Sequence, residues 1–81
     1  MMPMKELVEY LAKALVEDPT QVVATESVHG TEVTVELKVA QSDMGRVIGR
    51  SGRVINAIRT LAQMCAARDG QRAFVELLEE D

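Results

Sequence analysis

The sequence MGRVIGRSGRVINAIR, residues 44–59, places three glycines and four arginines within one short stretch. Glycine adopts backbone conformations that other residues avoid, and it leaves the main chain open to close approach. Arginine suits phosphate because its planar, forked guanidinium group can donate two parallel hydrogen bonds. The stretch therefore predicts a sharp turn that binds an anion.

The arginines of this stretch stand out because the chain as a whole is acidic, with a formal net charge of -4. Residues 1–43 hold three lysines and eight acidic residues, whereas residues 44–75 hold six arginines and one acidic residue. Residues 76–81 add four more acidic residues. A solvated helix face is the alternative explanation for the arginines. Their clustering beside glycine favours an anion site.

The length of 81 residues fits one small domain, and we expect a single domain over residues 1–81 with an acidic tail at 76–81. Apolar residues make up 47% of the chain and charged residues 27%, a balance typical of a globular protein. Tyr10 and Phe74 are the two aromatic residues. This composition argues against a nucleic-acid platform built from stacked aromatic rings.

The cysteine and histidine content limits the chemistry that the chain can carry. Cys65 is the single cysteine and His29 the single histidine, so an internal disulfide or a multi-cysteine zinc site is excluded. We expect no metal and no cofactor. A reduced cysteine indicates the cytoplasm. No apolar run approaches the ~20 residues that cross a membrane, and the N-terminus does not resemble a signal peptide.

Apolar spacing predicts three helices. Residues 4–17 repeat apolar positions at helical intervals. A short helix over residues 43–48 is expected to use Ser42 as its N-cap. A longer helix over residues 53–68 is ended by the Asp-Gly pair at 69–70.

Three strands are predicted between and after these helices. Residues 21–28 and 31–39 form a hairpin around the His-Gly pair at 29–30, and the second strand alternates apolar and polar residues cleanly. Residues 71–78 form the last strand. The helical connection that precedes it favours a parallel, right-handed crossover. The order α-β-β-α-α-β predicts an α+β, two-layer sandwich: a three-stranded mixed sheet with helices on one face.

The glycine turn joins the two consecutive helices. Gly49 and Gly52 permit a sharp reversal, and the helix that follows offers free N–H groups and the positive end of its dipole. Arg50 lies within the turn, Arg53 follows it, and Arg46 lies one helical turn before it. These residues predict a site for a phosphodiester backbone.

Two nucleotide-binding motifs do not match this turn. A P-loop has four residues between its glycines and then lysine, whereas only three residues separate Gly45 from Gly49 here, and Arg50 follows. A dinucleotide fingerprint needs G-x-G-x-x-G, and the chain contains no G-x-G. The spacing of the glycines therefore excludes both nucleotide-binding motifs.

Residues 47–58, VIGRSGRVINAI, resemble the KH-domain signature V-I-G-x-x-G-x-x-I-x-x-I. The order of elements is similar to the type II, bacterial form of that fold. The chain is little longer than one KH domain, as in the small stand-alone KH proteins of the KhpA family. The resemblance covers nearly the whole chain. It implies a domain that holds about four nucleotides of single-stranded RNA against its G-x-x-G loop.

The resemblance also implies roles for individual residues. The loop that contacts the RNA backbone consists of Gly49, Arg50, Ser51 and Gly52. Ile48 and Ile55 are expected to line the apolar groove for the bases, although core packing explains both equally well. From their charge we add Arg46 and Arg53, and we leave open whether Arg59 contacts RNA.

The helix over residues 53–68 has an unusually wide apolar face. Its apolar residues cover roughly 200°, whereas a surface helix needs a stripe of little more than ~100°. Leu61 and Met64 are therefore candidates for a contact with a second chain, and deeper burial of the helix is the alternative. The resemblance implies self-association, or pairing with a larger multidomain KH protein.

Two functions follow from these expectations. The first is non-catalytic binding of single-stranded RNA as a small RNA chaperone or post-transcriptional regulator. The second is a protein-interaction adaptor that acts mainly through a dimer surface. An enzyme is disfavoured because Ser51 has no histidine or lysine nearby in sequence to activate it, and no other catalytic set can be assembled.

Overall fold

The computed structural model describes residues 3–79. The helices are α1 (Met4–Leu15), α2 (Met44–Ile48) and α3 (Arg53–Arg68), and the strands are β1 (Val23–His29), β2 (Glu32–Lys38) and β3 (Arg72–Leu77). Short 3₁₀ turns occupy Pro19–Gln21, Gln41–Asp43 and Arg50–Gly52. The predicted order α-β-β-α-α-β is confirmed.

The three strands form one mixed sheet in the order β1-β2-β3. β2 is central: Val35 pairs with Glu26 of antiparallel β1 and with Val75 of parallel β3. A parallel neighbour requires a crossover, and α2 and α3 provide it. The predicted mixed sheet is therefore confirmed, and β3 is left at an edge of the sheet, beside α3.

The core lies between the sheet and the long helices α1 and α3. Apolar side chains of the two helices pack on the inward side chains of the strands; buried examples are Val8, Ala12, Val35, Leu37, Ile58 and Ala62. Alternation along β2 accounts for this arrangement, since its odd-numbered residues face the helices and its even-numbered residues face away. The helices cover one face of the sheet, as predicted.

Several boundaries differ from the predictions. The hairpin turn is formed by Gly30 and Thr31 and not by the pair at 29–30, because His29 still pairs with Glu32. β1 begins at Val23, since Pro19–Gln21 forms a 3₁₀ turn. β2 and β3 are each one residue shorter at both ends than predicted.

The prediction that Ser42 caps α2 is wrong. Ser42 lies inside a 3₁₀ turn, and α2 begins at Met44 without a side-chain cap. The buried carboxylate of the preceding residue, Asp43, accepts hydrogen bonds from the backbone N–H groups of Glu17, at 3.0 Å, and Asp18, at 3.1 Å. These two amides therefore do not continue the first helix, which ends at Leu15 and not at residue 17 as predicted.

The tail predicted at residues 76–81 is described only in part. Glu76 and Leu77 belong to β3, and the N–H of Leu78 donates to the carbonyl of Leu37. Residues 80 and 81 lie outside the described residues.

We predict that Asp43→Ala lowers the free energy of unfolding by about 2–4 kcal/mol, because it leaves two partly buried amides without their charged acceptor. Urea denaturation measures the loss. Asp18→Ala is the matched control: it removes an exposed cap of the Pro19–Gln21 turn and keeps the backbone N–H that Asp43 binds. We expect it to cost no more than about 1 kcal/mol. Equal losses in the two variants would contradict the role given to Asp43.

Candidate nucleic-acid interface

The turn between α2 and α3 depends on glycine at its first position. Gly49 has φ 75° and ψ 172°, a conformation essentially confined to glycine. A Cβ atom at Gly49 would lie 2.9 Å from the backbone nitrogen of Val54 and closer still to the Val54 side chain. Both the backbone angles and the lack of space therefore exclude a side chain here. The chain reverses direction at this turn, and the start of α3, at Val54, packs directly against Gly49.

Two of the remaining turn residues, Ser51 and Gly52, are left-handed. Ser51 has φ 55° and ψ 27°, and Gly52 has φ 75° and ψ 15°. A Cβ atom at Gly52 would lie 3.4 Å from the side-chain nitrogen of Asn56, which is an ordinary contact. The backbone conformation, more than space, thus explains glycine at this position.

The amide groups in the middle of the turn are available to a ligand. Gly49 donates to the carbonyl of Gly45 at 2.9 Å, and Gly52 donates to that of Gly49 at 3.2 Å. Within residues 3–79, no backbone acceptor pairs with the N–H groups of Arg50 and Ser51, and both residues are exposed. Together with the positive end of the α3 dipole, these donors suit an anion.

The structure separates the predicted arginines into two groups. Arg50 and Arg53 are exposed, and neither forms an ion pair with another described residue. Arg46 instead contacts the carboxylate of Glu17, and its Nε lies 3.5 Å from Oδ1 of Asp43. Because these carboxylates offset the charge of Arg46, the unpaired positive charge of the turn belongs to Arg50 and Arg53.

The two predicted groove residues have different surroundings. Ile55 is 5% exposed and belongs to the core. Ile48 is half-buried and lines an open groove of about 260 Å³ together with Gln41, Met44 and Glu79. The structure therefore places Ile48, but not Ile55, in an accessible groove of mixed polar and apolar lining next to the turn.

Asn56 is a candidate site residue that sequence reasoning missed. Its side-chain nitrogen lies beside Gly52, and its Oδ1 accepts a hydrogen bond of 3.2 Å from Arg59. Arg59 also donates from Nε to the carbonyl of Val75 at 3.1 Å. Helical spacing could have indicated the contact, since residues three apart lie on one face of a helix.

The second face of α3 is apolar and exposed. Leu61 is 45% exposed and Met64 62% exposed, although neighbouring positions of the helix are buried. An apolar groove of about 340 Å³ runs between α1 and α3, and its lining includes Leu11, Leu15 and Leu61. Arg53 also lines this groove. The wide apolar face predicted for α3 therefore has two parts: one stripe is buried in the core, and the other is exposed.

The described residues offer neither a metal site nor a membrane-spanning helix. Residues 3–79 contain no group of three or more histidine, cysteine or carboxylate side chains that could hold a metal ion. No helix in this part of the chain has both the length and the apolar character needed to cross a bilayer. The turn and its surroundings are therefore the best-defined candidate site.

Three bacterial relatives match nearly the whole chain. The RNA-binding protein KhpA of Caldanaerobacter subterraneus subsp. tengcongensis is 47% identical, over 93% of this chain and 100% of its own length. KhpA of Clostridium perfringens is 43% identical, again over 93% and 100%. KhpA of Chlamydia trachomatis is 45% identical, over 95% and 99%.

Solved structures show the same fold inside a longer protein. Aquifex aeolicus Era bound to GDP and AlF4⁻ superposes with a TM-score of 0.65 at 18% identity, over 95% of this chain and 31% of Era. Era in complex with MgGDPNP and a segment of 16S ribosomal RNA gives a TM-score of 0.64 at 18% identity, over 94% and 30%. The family described as "KhpA/KhpB, KH domain" matches residues 5–77. The chain belongs to this KhpA/KhpB family of KH domains.

Proposed function

We propose that this protein is a non-catalytic, cytoplasmic module that binds single-stranded RNA through the loop Gly49–Gly52. The observation that carries the proposal is that the amides of Arg50 and Ser51 have no backbone acceptor within residues 3–79, in a turn that excludes a side chain at Gly49. The three relatives named above are RNA-binding proteins. We further propose that residues 1–81 act as one domain, as a small RNA chaperone or post-transcriptional regulator.

The RNA backbone is expected to lie on the loop. A phosphate there accepts hydrogen bonds from the amides, and the guanidinium groups of Arg50 and Arg53 offset its charge. Bases then extend over the groove that Ile48 and Met44 line. Few of these contacts involve the edges of the bases. We therefore expect the RNA affinity to depend more on the RNA backbone than on the base sequence.

We predict that the double variant Arg50→Asp with Ser51→Asp loses RNA binding while it stays folded, because two carboxylates would face the phosphate. Anisotropy titration with a labelled single-stranded RNA of mixed sequence measures binding, and circular dichroism measures folding.

The matched control is Arg68→Asp with Gln63→Asp, which changes the net charge equally on exposed positions of α3 away from the loop. We expect this control to bind with nearly the parental affinity. If the folded loop variant still bound RNA like the parent protein, the assignment of the loop would be wrong.

Arg53 and Arg46 are predicted to differ in their contribution. Arg53→Gln should weaken binding and reduce the slope of log K against log salt by about 0.7, the value for one phosphate contact on a single strand. Arg46→Gln should reduce it less, because Glu17 and Asp43 already pair with Arg46. Titrations at several salt concentrations give the slopes. A larger reduction for Arg46 than for Arg53 would contradict this ranking.

The exposed face of α3 supports a second candidate function, that of an adaptor. Leu61 and Met64 expose apolar surface next to the groove between α1 and α3. Apolar surface of this kind favours protein–protein contact. We propose that a second copy of this chain docks there, or the corresponding surface of a larger multidomain KH protein.

Leu61→Glu with Met64→Glu is predicted to shift the protein from dimer to monomer, because charge would be placed in an apolar interface. Sedimentation equilibrium measures the association constant, and Gln63→Glu, between the two positions, is the control. If the parent protein stays monomeric at the highest concentration, self-association is excluded. Dimer formation without any RNA binding at low salt would favour the adaptor.

A further inference from the structure

We propose that Arg59, held in place by Asn56 and Val75, reads a base that presents two adjacent hydrogen-bond acceptors, namely guanine or cytosine. The inference rests on the proposed function, since it assigns a base preference to the same RNA-binding surface. It begins from a line of polar contacts that leads from the loop, at Gly52, to the edge of the sheet.

The line of contacts starts beneath the loop. The side-chain nitrogen of Asn56 lies next to Gly52, and its oxygen accepts from Nη1 of Arg59 at 3.2 Å. Nε of Arg59 then donates to the carbonyl of Val75 at 3.1 Å. Because β3 is an edge strand, this carbonyl points away from its one neighbouring strand and is free to accept from a side chain.

These two hydrogen bonds fix the plane of the guanidinium group. A side chain that is already oriented loses less conformational entropy when it binds a ligand. Among residues 3–79, nothing accepts a hydrogen bond from Nη2 of Arg59, although the side chain is only half-buried. A guanidinium group has five N–H donors, and these two bonds use one on Nε and one on Nη1, so one donor on Nη1 and both on Nη2 remain for a ligand.

The position of Arg59 suits a base better than a phosphate. It follows Arg53 by six positions on α3, which corresponds to about 9 Å along the helix axis. A strand with its phosphates on the loop extends its bases away from the loop. A base lying toward β3 would therefore meet the donor edge of Arg59.

A forked donor distinguishes bases by their acceptors. Guanine offers O6 and N7 side by side, and arginine bound to this pair is the commonest specific contact in nucleic-acid recognition. Cytosine offers the adjacent pair O2 and N3. Adenine and uracil alternate an acceptor with a donor, so neither accepts two parallel hydrogen bonds. Arg59 is thus expected to favour guanine or cytosine.

The experiment compares labelled oligouridine with the same oligomer carrying one central guanine, cytosine or adenine. Anisotropy titrations of the parent protein should show that guanine or cytosine raises affinity about fivefold or more, whereas adenine does not. The oligomer that shows the gain identifies the base. Arg59→Lys keeps the charge but loses the fork, so it should abolish this preference and leave the affinity for oligouridine nearly unchanged.

Asn56→Ala is the second variant, because it keeps Arg59 but removes one of its two supports at an exposed helical position. It should reduce the preference, while Arg68→Lys, the control, should preserve it. Equal affinity of the parent protein for all four oligomers, or an unchanged preference in Arg59→Lys, would overturn the inference and leave the RNA-binding proposal standing. Failure to bind any oligomer would overturn the proposed function itself.

Discussion

The close approach of α3 to the backbone of Gly49 is the constraint on which the candidate site depends. Val54 fills the space that a side chain at Gly49 would need. The backbone angles of Gly49 are also unfavourable for any other residue. Together these two restrictions exclude a side chain at Gly49, and within residues 3–79 no backbone carbonyl accepts from the amides of Arg50 and Ser51. Substituting this glycine would change backbone geometry and amide exposure together.

Asp43 holds the other end of α2. Its buried carboxylate binds two amides just beyond α1, and it also approaches Arg46. One side chain thus joins the end of the first helix to the start of the helix that leads into the turn. A buried charge is tolerated here because hydrogen bonds satisfy both of its oxygens.

The sequence was sufficient for the architecture because the relevant signals are local. Alternation at residues 31–39 and the glycine spacing at 49 and 52 each depend on near neighbours. The early end of α1 and the pairing of Arg46 with Glu17 could not be predicted, since each joins residues more than twenty positions apart. Charge alone could not show that Glu17 and Asp43 pair with Arg46. Periodicity found the wide apolar face of α3, but only the structure showed that Leu61 stays exposed while Ile55 is buried.

Arg53 belongs to two surfaces at once. It follows the loop directly, and it also lines the apolar groove between α1 and α3. A second chain bound in that groove would surround a guanidinium group on which the proposed RNA binding also depends, so the two binding equilibria would be thermodynamically coupled. Such coupling is reciprocal: if the protein partner changes the affinity for RNA by a given factor, RNA changes the affinity for the partner by the same factor. A single side chain would then suffice to make assembly responsive to RNA.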